Sequence, residues 1–162
     1  MPEPTDKDAA IFEQQPPLRG LRDDERERLL RQRDQGVLAT ASPSGFPHLA
    51  PVLFSWDPTE RTVRISTRAG RVKAVNLAGN PHAALHVDGP DRWSFVVAEG
   101  LGEVSPVTTE PGDAVGLELL SMFPQADAAA EAEFLDTQVA EQRVVLRLHV
   151  SRLYGDIIEF AG

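Results

Sequence analysis

Short hydrophobic stretches, several of them β-branched and most bounded by turn-forming residues, read as strands: Val37 to Ala41, His48 to Trp56, Thr62 to Thr67, Ala83 to Val87 and Trp93 to Val104. A last stretch, Arg143 to Tyr154, embeds Val145, Leu146, Leu148 and Val150 among Arg147, His149 and Arg152, and is expected to close the sheet. Ser42-Pro43-Ser44-Gly45 and Asp57-Pro58-Thr59-Glu60 are short, turn-forming connections, so the first three strands are expected to form an antiparallel meander. Helical spacing governs the intervals. A charged stretch from Asp23 to Arg33 starts with acids, as a first turn prefers, and ends near Gly36. Arg71 to Ala78 forms a short helix stopped by Gly79-Asn80-Pro81. The Ala- and Glu-rich region from Glu110 to Ala140 predicts two helices broken near Pro124. Six strands joined mainly by hairpins, with helices outside them, predict a mainly β, six-stranded antiparallel barrel with peripheral helices rather than a doubly wound α/β sheet.

Composition bounds the size and narrows the partners. The chain has 162 residues with 41% hydrophobic content, enough for one domain with a proper core. Residues 1–19, with four prolines and no periodicity, are expected to be a flexible arm, and 20–162 the folded domain. The chain contains no Cys, so disulfides, thiolate nucleophiles and cysteine-based metal sites are excluded. It begins without a basic region followed by an apolar core, and no apolar run approaches the ~18 residues of a membrane span. A soluble, cytoplasmic protein is therefore expected. The net charge of -9 argues against a nucleic-acid surface, which needs an extended basic face.

One segment breaks the acidic trend. Residues 61–87 hold five of the 16 Lys/Arg and none of the 25 Asp/Glu. Within them a β-branched run leads through Ala69-Gly70 into a helix carrying Arg71, Lys73 and Asn76, an arrangement that gathers backbone N–H groups, hydroxyls and cations around one anion. Surface solubility would not also remove the acids, so Arg71 and Lys73 are read as ligand contacts. Arg64, between Val63 and Ile65, is expected to face solvent on its strand, and Arg68 is placed in the turn, within reach of a second anionic group. His48 is read as pocket lining rather than catalytic, and Trp56 as a core or interface anchor. Glu99-Gly100 reads as a strand carboxylate at a bulge. Neither a G-x-S-x-G elbow, a GxGxxG turn nor a metal-ligand set is present.

Four segments, GVLATASPSGFPHLAPVLFSWD (36–57), ISTRAGRVKAVNLAGNP (65–81), DRWSFVVAEGLGEV (91–104) and VVLRLHVSRLYG (144–155), occur in an order and spacing that resembles the split β-barrel flavin and deazaflavin oxidoreductases related to pyridoxamine 5'-phosphate oxidase. The Trp-Ser-aromatic-x-Val-Ala-Glu-Gly strand is similar to that of the actinobacterial branch that uses coenzyme F420. The resemblance implies that Pro51, Val52 and Leu53 run beside an isoalloxazine-like ring, with His48 on the same strand. It implies that Ser66 and Thr67 contribute hydroxyls to a phosphate site, that Arg71 and Lys73 clamp it, and that Asn76, one turn on, fixes the helix or adds a polar contact. Trp93 and Ser94 match a strand that approaches the cofactor from the other subunit of a homodimer. The implied activity is hydride transfer between F420 and a small conjugated organic substrate, with no side chain identified as the acid. Two other readings stand beside it: an FMN-binding oxidoreductase or oxidase, and a non-catalytic deazaflavin carrier.

Overall fold

The computed structural model describes residues 18–91 and 93–159. Among the described residues, nine strands and four helices follow one another as β1 (Leu18–Gly20), α1 (Asp23–Gln32), β2 (Gln35–Ala41), β3 (Pro47–Leu53), β4 (Ser55–Asp57), β5 (Thr62–Arg68), α2 (Val72–Gly79), β6 (His82–Asp88), β7 (Phe95–Val104), α3 (Ala114–Met122), α4 (Ala128–Ala140), β8 (Arg143–Tyr154) and β9 (Asp156–Ile158). Seven strands form one antiparallel sheet in the order β3-β2-β6-β7-β8-β5-β4. Its two edge strands, β3 and β4, are separated in the chain by Phe54 alone, so the sheet has to curl until its edges approach. The result is the antiparallel barrel that the hairpin pattern predicts, with seven strands in place of six, in the split form that the resemblance implies.

The expected strand from His48 to Trp56 is therefore two strands. Its first part pairs with β2, Val37 opposite Pro51, while Trp56 pairs with Val63 of β5. Phe54 breaks the ladder because its N–H donates to the Asp34 carbonyl, at 2.8 Å, and its ring enters the core. Trp93 precedes β7 rather than opening it, and Ser94 makes an isolated bridge to Ile157. Leu18 and Arg19, expected to belong to the arm, pair with Ile158 and Ile157 as part of a second small sheet. The rest of the arm, residues 1–17, lies outside the described residues.

Alternation sends Val63 and Ile65 of β5, and Val144, Leu146 and Leu148 of β8, inward. Leu29 and Leu30 of α1 and Ala74 and Leu77 of α2 complete that core. At the Glu99/Gly100 bulge the strands approach so closely that a Cβ on Gly100 would lie 1.9 Å from the His149 carbonyl oxygen. A second, smaller cluster, Val115 and Leu119 of α3 with Phe134 of α4, packs on Val145 on the outer side of β8.

The start of α3 is fixed by Asp113, whose carboxylate accepts from Gly116 N at 2.8 Å, Thr109 N at 2.9 Å and the Thr108 hydroxyl at 2.8 Å. Burial opposes its ionisation, but these donors outweigh burial and hold its pKa down at about 2. The folded state thus favours the carboxylate, and that contribution is complete above the ordinary Asp range and disappears as pH falls towards about 2. Asp113→Ala is expected to cost about 1–2 kcal/mol at neutral pH, and less near pH ~3, in paired urea denaturation curves.

Candidate functional site

On β5 the outward residues are Arg64, Ser66 and Arg68, and on β3 they are Leu49, Pro51 and Leu53. The Ala69-Gly70 turn then folds α2 back, with Arg71 as its N-cap and Lys73 in its first turn. These elements surround a cavity of about 350 Å³. Pro51, Val52 and Leu53 line one wall, Ser66 and Lys73 line another, and Phe123, Phe134, Gln138 and Arg143 complete it. Five residues expected from sequence are thus brought together. The Phe123 and Phe134 rings lie 6.3 Å apart, and Gln138 donates to the Phe134 carbonyl at 3.3 Å, so the polar and aromatic parts of this wall come from one rigid helical corner.

The cations of the basic segment divide into two groups. Arg61 pairs with Glu27 at 3.1 Å, Arg64 with Glu118 at 2.9 Å and Asp57 at 3.3 Å, and Arg68 with Glu141 at 3.0 Å. Arg64 is therefore tied down by acids from two other segments rather than left facing solvent, and Arg68 ends β5 with its charge already answered. Among the described residues neither Arg71 nor Lys73 has an acidic partner. Burial, reinforced by the positive charges of Arg71 and Arg143, pushes the Lys73 pKa below that of an ordinary lysine. Arg143 is paired with Glu141 at 2.7 Å, whereas Lys73 has no carboxylate to answer this repulsion, so an anion bound beside it would be stabilised. The donor set of the cavity, the Ser66 hydroxyl with Lys73 and Arg143, faces an apolar and aromatic wall and fits a phosphorylated molecule with a flat ring.

The other expected residues are placed differently. Thr67 points inward, 3% exposed, opposite Val144. Asn76 is buried and donates to the Thr40 hydroxyl at 3.2 Å, which pins α2 to β2. His48 stands opposite Thr40 on β3, its Nδ1 buried without a hydrogen-bond partner. Arg71 lines a separate opening of about 520 Å³ with Arg68, Gly70 and Glu141. Half-exposed Trp93 and buried Ser94 lie at the entry to β7, away from the walls of the 350 Å³ cavity. Phe123, Phe134, Gln138 and Arg143 were not singled out from sequence; only the coincidence of α4's end with the start of β8 brings them to Lys73. No group of three or more His, Asp or Glu is placed to hold a metal among the described residues, and no described helix is long and apolar enough to cross a membrane.

Comparison with known proteins agrees with this architecture. A solved F420 reductase is 28% identical, with 78% of this chain and 94% of that one covered and a TM-score of 0.56. A conserved hypothetical protein from Mycobacterium tuberculosis is 21% identical over 88% of this chain and 93% of its own, with a TM-score of 0.65. A FAD-binding protein from Mesorhizobium loti is also 21% identical, covering 87% and 96%, with a TM-score of 0.62; at that identity both show the fold alone. The family model described as pyridoxamine 5'-phosphate oxidase matches residues 23–155, nearly the whole barrel, and the chain belongs to that family.

Proposed function

We propose that this chain is a homodimeric oxidoreductase that binds coenzyme F420 and transfers a hydride between the deazaflavin and a small conjugated organic substrate. The observation that carries the reading is Lys73, a partly buried cation without an acidic partner, set between Arg71 and Arg143 beside a wall fit for a flat ring. A 28% identical F420 reductase over most of both chains favours the deazaflavin over FMN. When bound, the cofactor supplies the hydride donor or acceptor. Lys73, Arg143 and Ser66 hold its anionic group, Arg71 approaches it from the adjoining opening, and Pro51, Val52 and Leu53 orient the ring. Phe123 and Phe134 keep water from that side. No carboxylic acid lines this cavity, so protonation of the substrate is assigned to solvent.

Fluorescence titration with F420 and with FMN at matched ionic strength tests the reading. Micromolar or tighter F420 with weak FMN is expected. The reverse preference makes the protein an FMN enzyme, and F420 binding without turnover of a panel of enones makes it a carrier.

The second subunit is assigned to the outer face of β3-β2-β6. There Leu49 is 64% exposed and Leu53 51%, beside the small residues Ala39 and Ala84, which allow another surface to approach closely. Light scattering at micromolar concentration is expected to give a dimer; a monomer would remove the shared site.

A further inference from the structure

A larger cavity of about 590 Å³ adjoins the cofactor cavity and shares Pro51, Val52 and Leu53 with it. Its other side is formed by Arg33 at the end of α1, Val37 on β2, and His86 and Asp88 on β6. His86 stacks on Phe95, with centroids 5.3 Å apart and planes at 13°, so the β6 side offers a rigid, flat surface. One stretch of β3 thus separates a cation-rich cavity from a second space large enough for a small organic molecule.

Arg33 is the unexplained group in that space. Its backbone N–H closes α1 by donating to the Leu29 carbonyl, at 3.2 Å. The guanidinium, in contrast, has no acidic partner among the described residues, and its buried Nε has no acceptor. Asp88 lines the same cavity but lies against His86, at 3.9 Å, rather than against Arg33. The Nε is closed to solvent and so out of a ligand's reach, but the terminal nitrogens of a guanidinium that lines a cavity without an acidic partner can receive a carboxylate in a charge-assisted, two-point contact.

We propose that this cavity is the substrate end of the site and that Arg33 receives a carboxylate on a flat, conjugated substrate. As an anion site it stands on Arg33 and the cavity; as the substrate end it rests on the assignment of the cofactor to the neighbouring cavity. The ligand's apolar body lies along Val37 of β2 and along Pro51 and Leu53 of the ring-bearing strand itself, on the face assigned to the second subunit. Asp88 limits the site to one negative charge, since a second would face a carboxylate.

The test is calorimetric titration of the cofactor-free dimer with trans-cinnamate and with its neutral amide, cinnamamide. Cinnamate is expected to bind the unmodified protein more tightly than the amide. Arg33→Gln should weaken cinnamate by about tenfold or more, Arg33→Lys by less, and neither should change the amide. Asp88→Asn should strengthen cinnamate. Equal binding of acid and amide, or an Arg33→Gln variant that binds cinnamate as well as the unmodified protein, would overturn the site. If that variant instead dissociates into monomers with cinnamate binding unchanged, the acceptor for Arg33 is a group of the second subunit, and the proposal fails. Failure of F420 to bind would overturn the substrate assignment while leaving the cinnamate titrations readable; loss of the Arg33 effect overturns the anion site and leaves the cofactor reading intact.

Discussion

Replacing Arg71 and Lys73 together with alanine is expected to weaken F420 binding by about 2 to 5 kcal/mol, from roughly 1 to 3 kcal/mol for each charge-assisted hydrogen bond with allowance for coupling. Lys73 should carry the larger share, because it lines the cavity and is partly desolvated, whereas Arg71 is exposed and opens onto the adjoining space. The stability of the cofactor-free protein separates a binding role from a structural one. Neither cation has an acidic partner among the described residues, and Lys73 is repelled by both Arg71 and Arg143, so their removal should leave the denaturation midpoint unchanged or slightly raised. Affinity should also fall with ionic strength less steeply in the variant than in the unmodified protein. Unchanged affinity would place the anion elsewhere, and a large loss of stability would make the two residues part of the scaffold.

The same two residues mark how far the sequence could be read. A basic stretch lacking acids pointed to an anion site, yet three of its five cations are answered by acids that lie outside it: Glu27 for Arg61, Asp57 and Glu118 for Arg64, and Glu141 for Arg68. Local composition registers a cluster of charge but not its neutralisation from outside. What distinguishes Arg71 and Lys73 is their position after the Ala69-Gly70 turn, and that turn was legible. Strand alternation was legible too, and it located β2, β5, β6 and β8 closely. It failed at Phe54, because an apolar residue continues the pattern whether or not its N–H stays in the ladder; the donation to Asp34 is a tertiary choice. Gln138 and Arg143 were hidden for a related reason. On their own elements they read as a polar helix position and a strand-end cation, and their common cavity exists only once α4 lies along β8.

That placement of the helical corner depends on Glu118, and Glu118→Ala is the second large effect expected. Its carboxylate accepts from Arg64 Nε at 2.9 Å and from Arg147 Nε at 2.8 Å, fastening α3 to both β5 and β8. The side chain of Glu118 is only 16% exposed, and those of Arg64 and Arg147 are 23% and 25% exposed. Truncation would leave two partly buried guanidiniums, but Asp57 and Glu103 retain one each, so the cost should fall below that of a fully buried pair, at about 1.5 to 3 kcal/mol. Hydrogen bonding to Arg147, more than to Arg64, holds the Glu118 pKa below the ordinary glutamate value. The stabilisation is therefore complete above that ordinary value and is lost as pH falls through the depressed one. The gap in denaturation midpoint between the unmodified protein and Glu118→Ala should accordingly narrow on acidification, while Glu118→Gln, which keeps the shape but not the charge, lies between them at neutral pH. Cofactor affinity should follow, because Phe123 caps α3 and meets Phe134 above the cavity, so a loosened α3 admits water to the ring side of the site. A variant with the midpoint and acid profile of the unmodified protein would show that α3 is held by Val115 and Leu119 alone, and that the arginines on the barrel's outer face do not control the site beneath it.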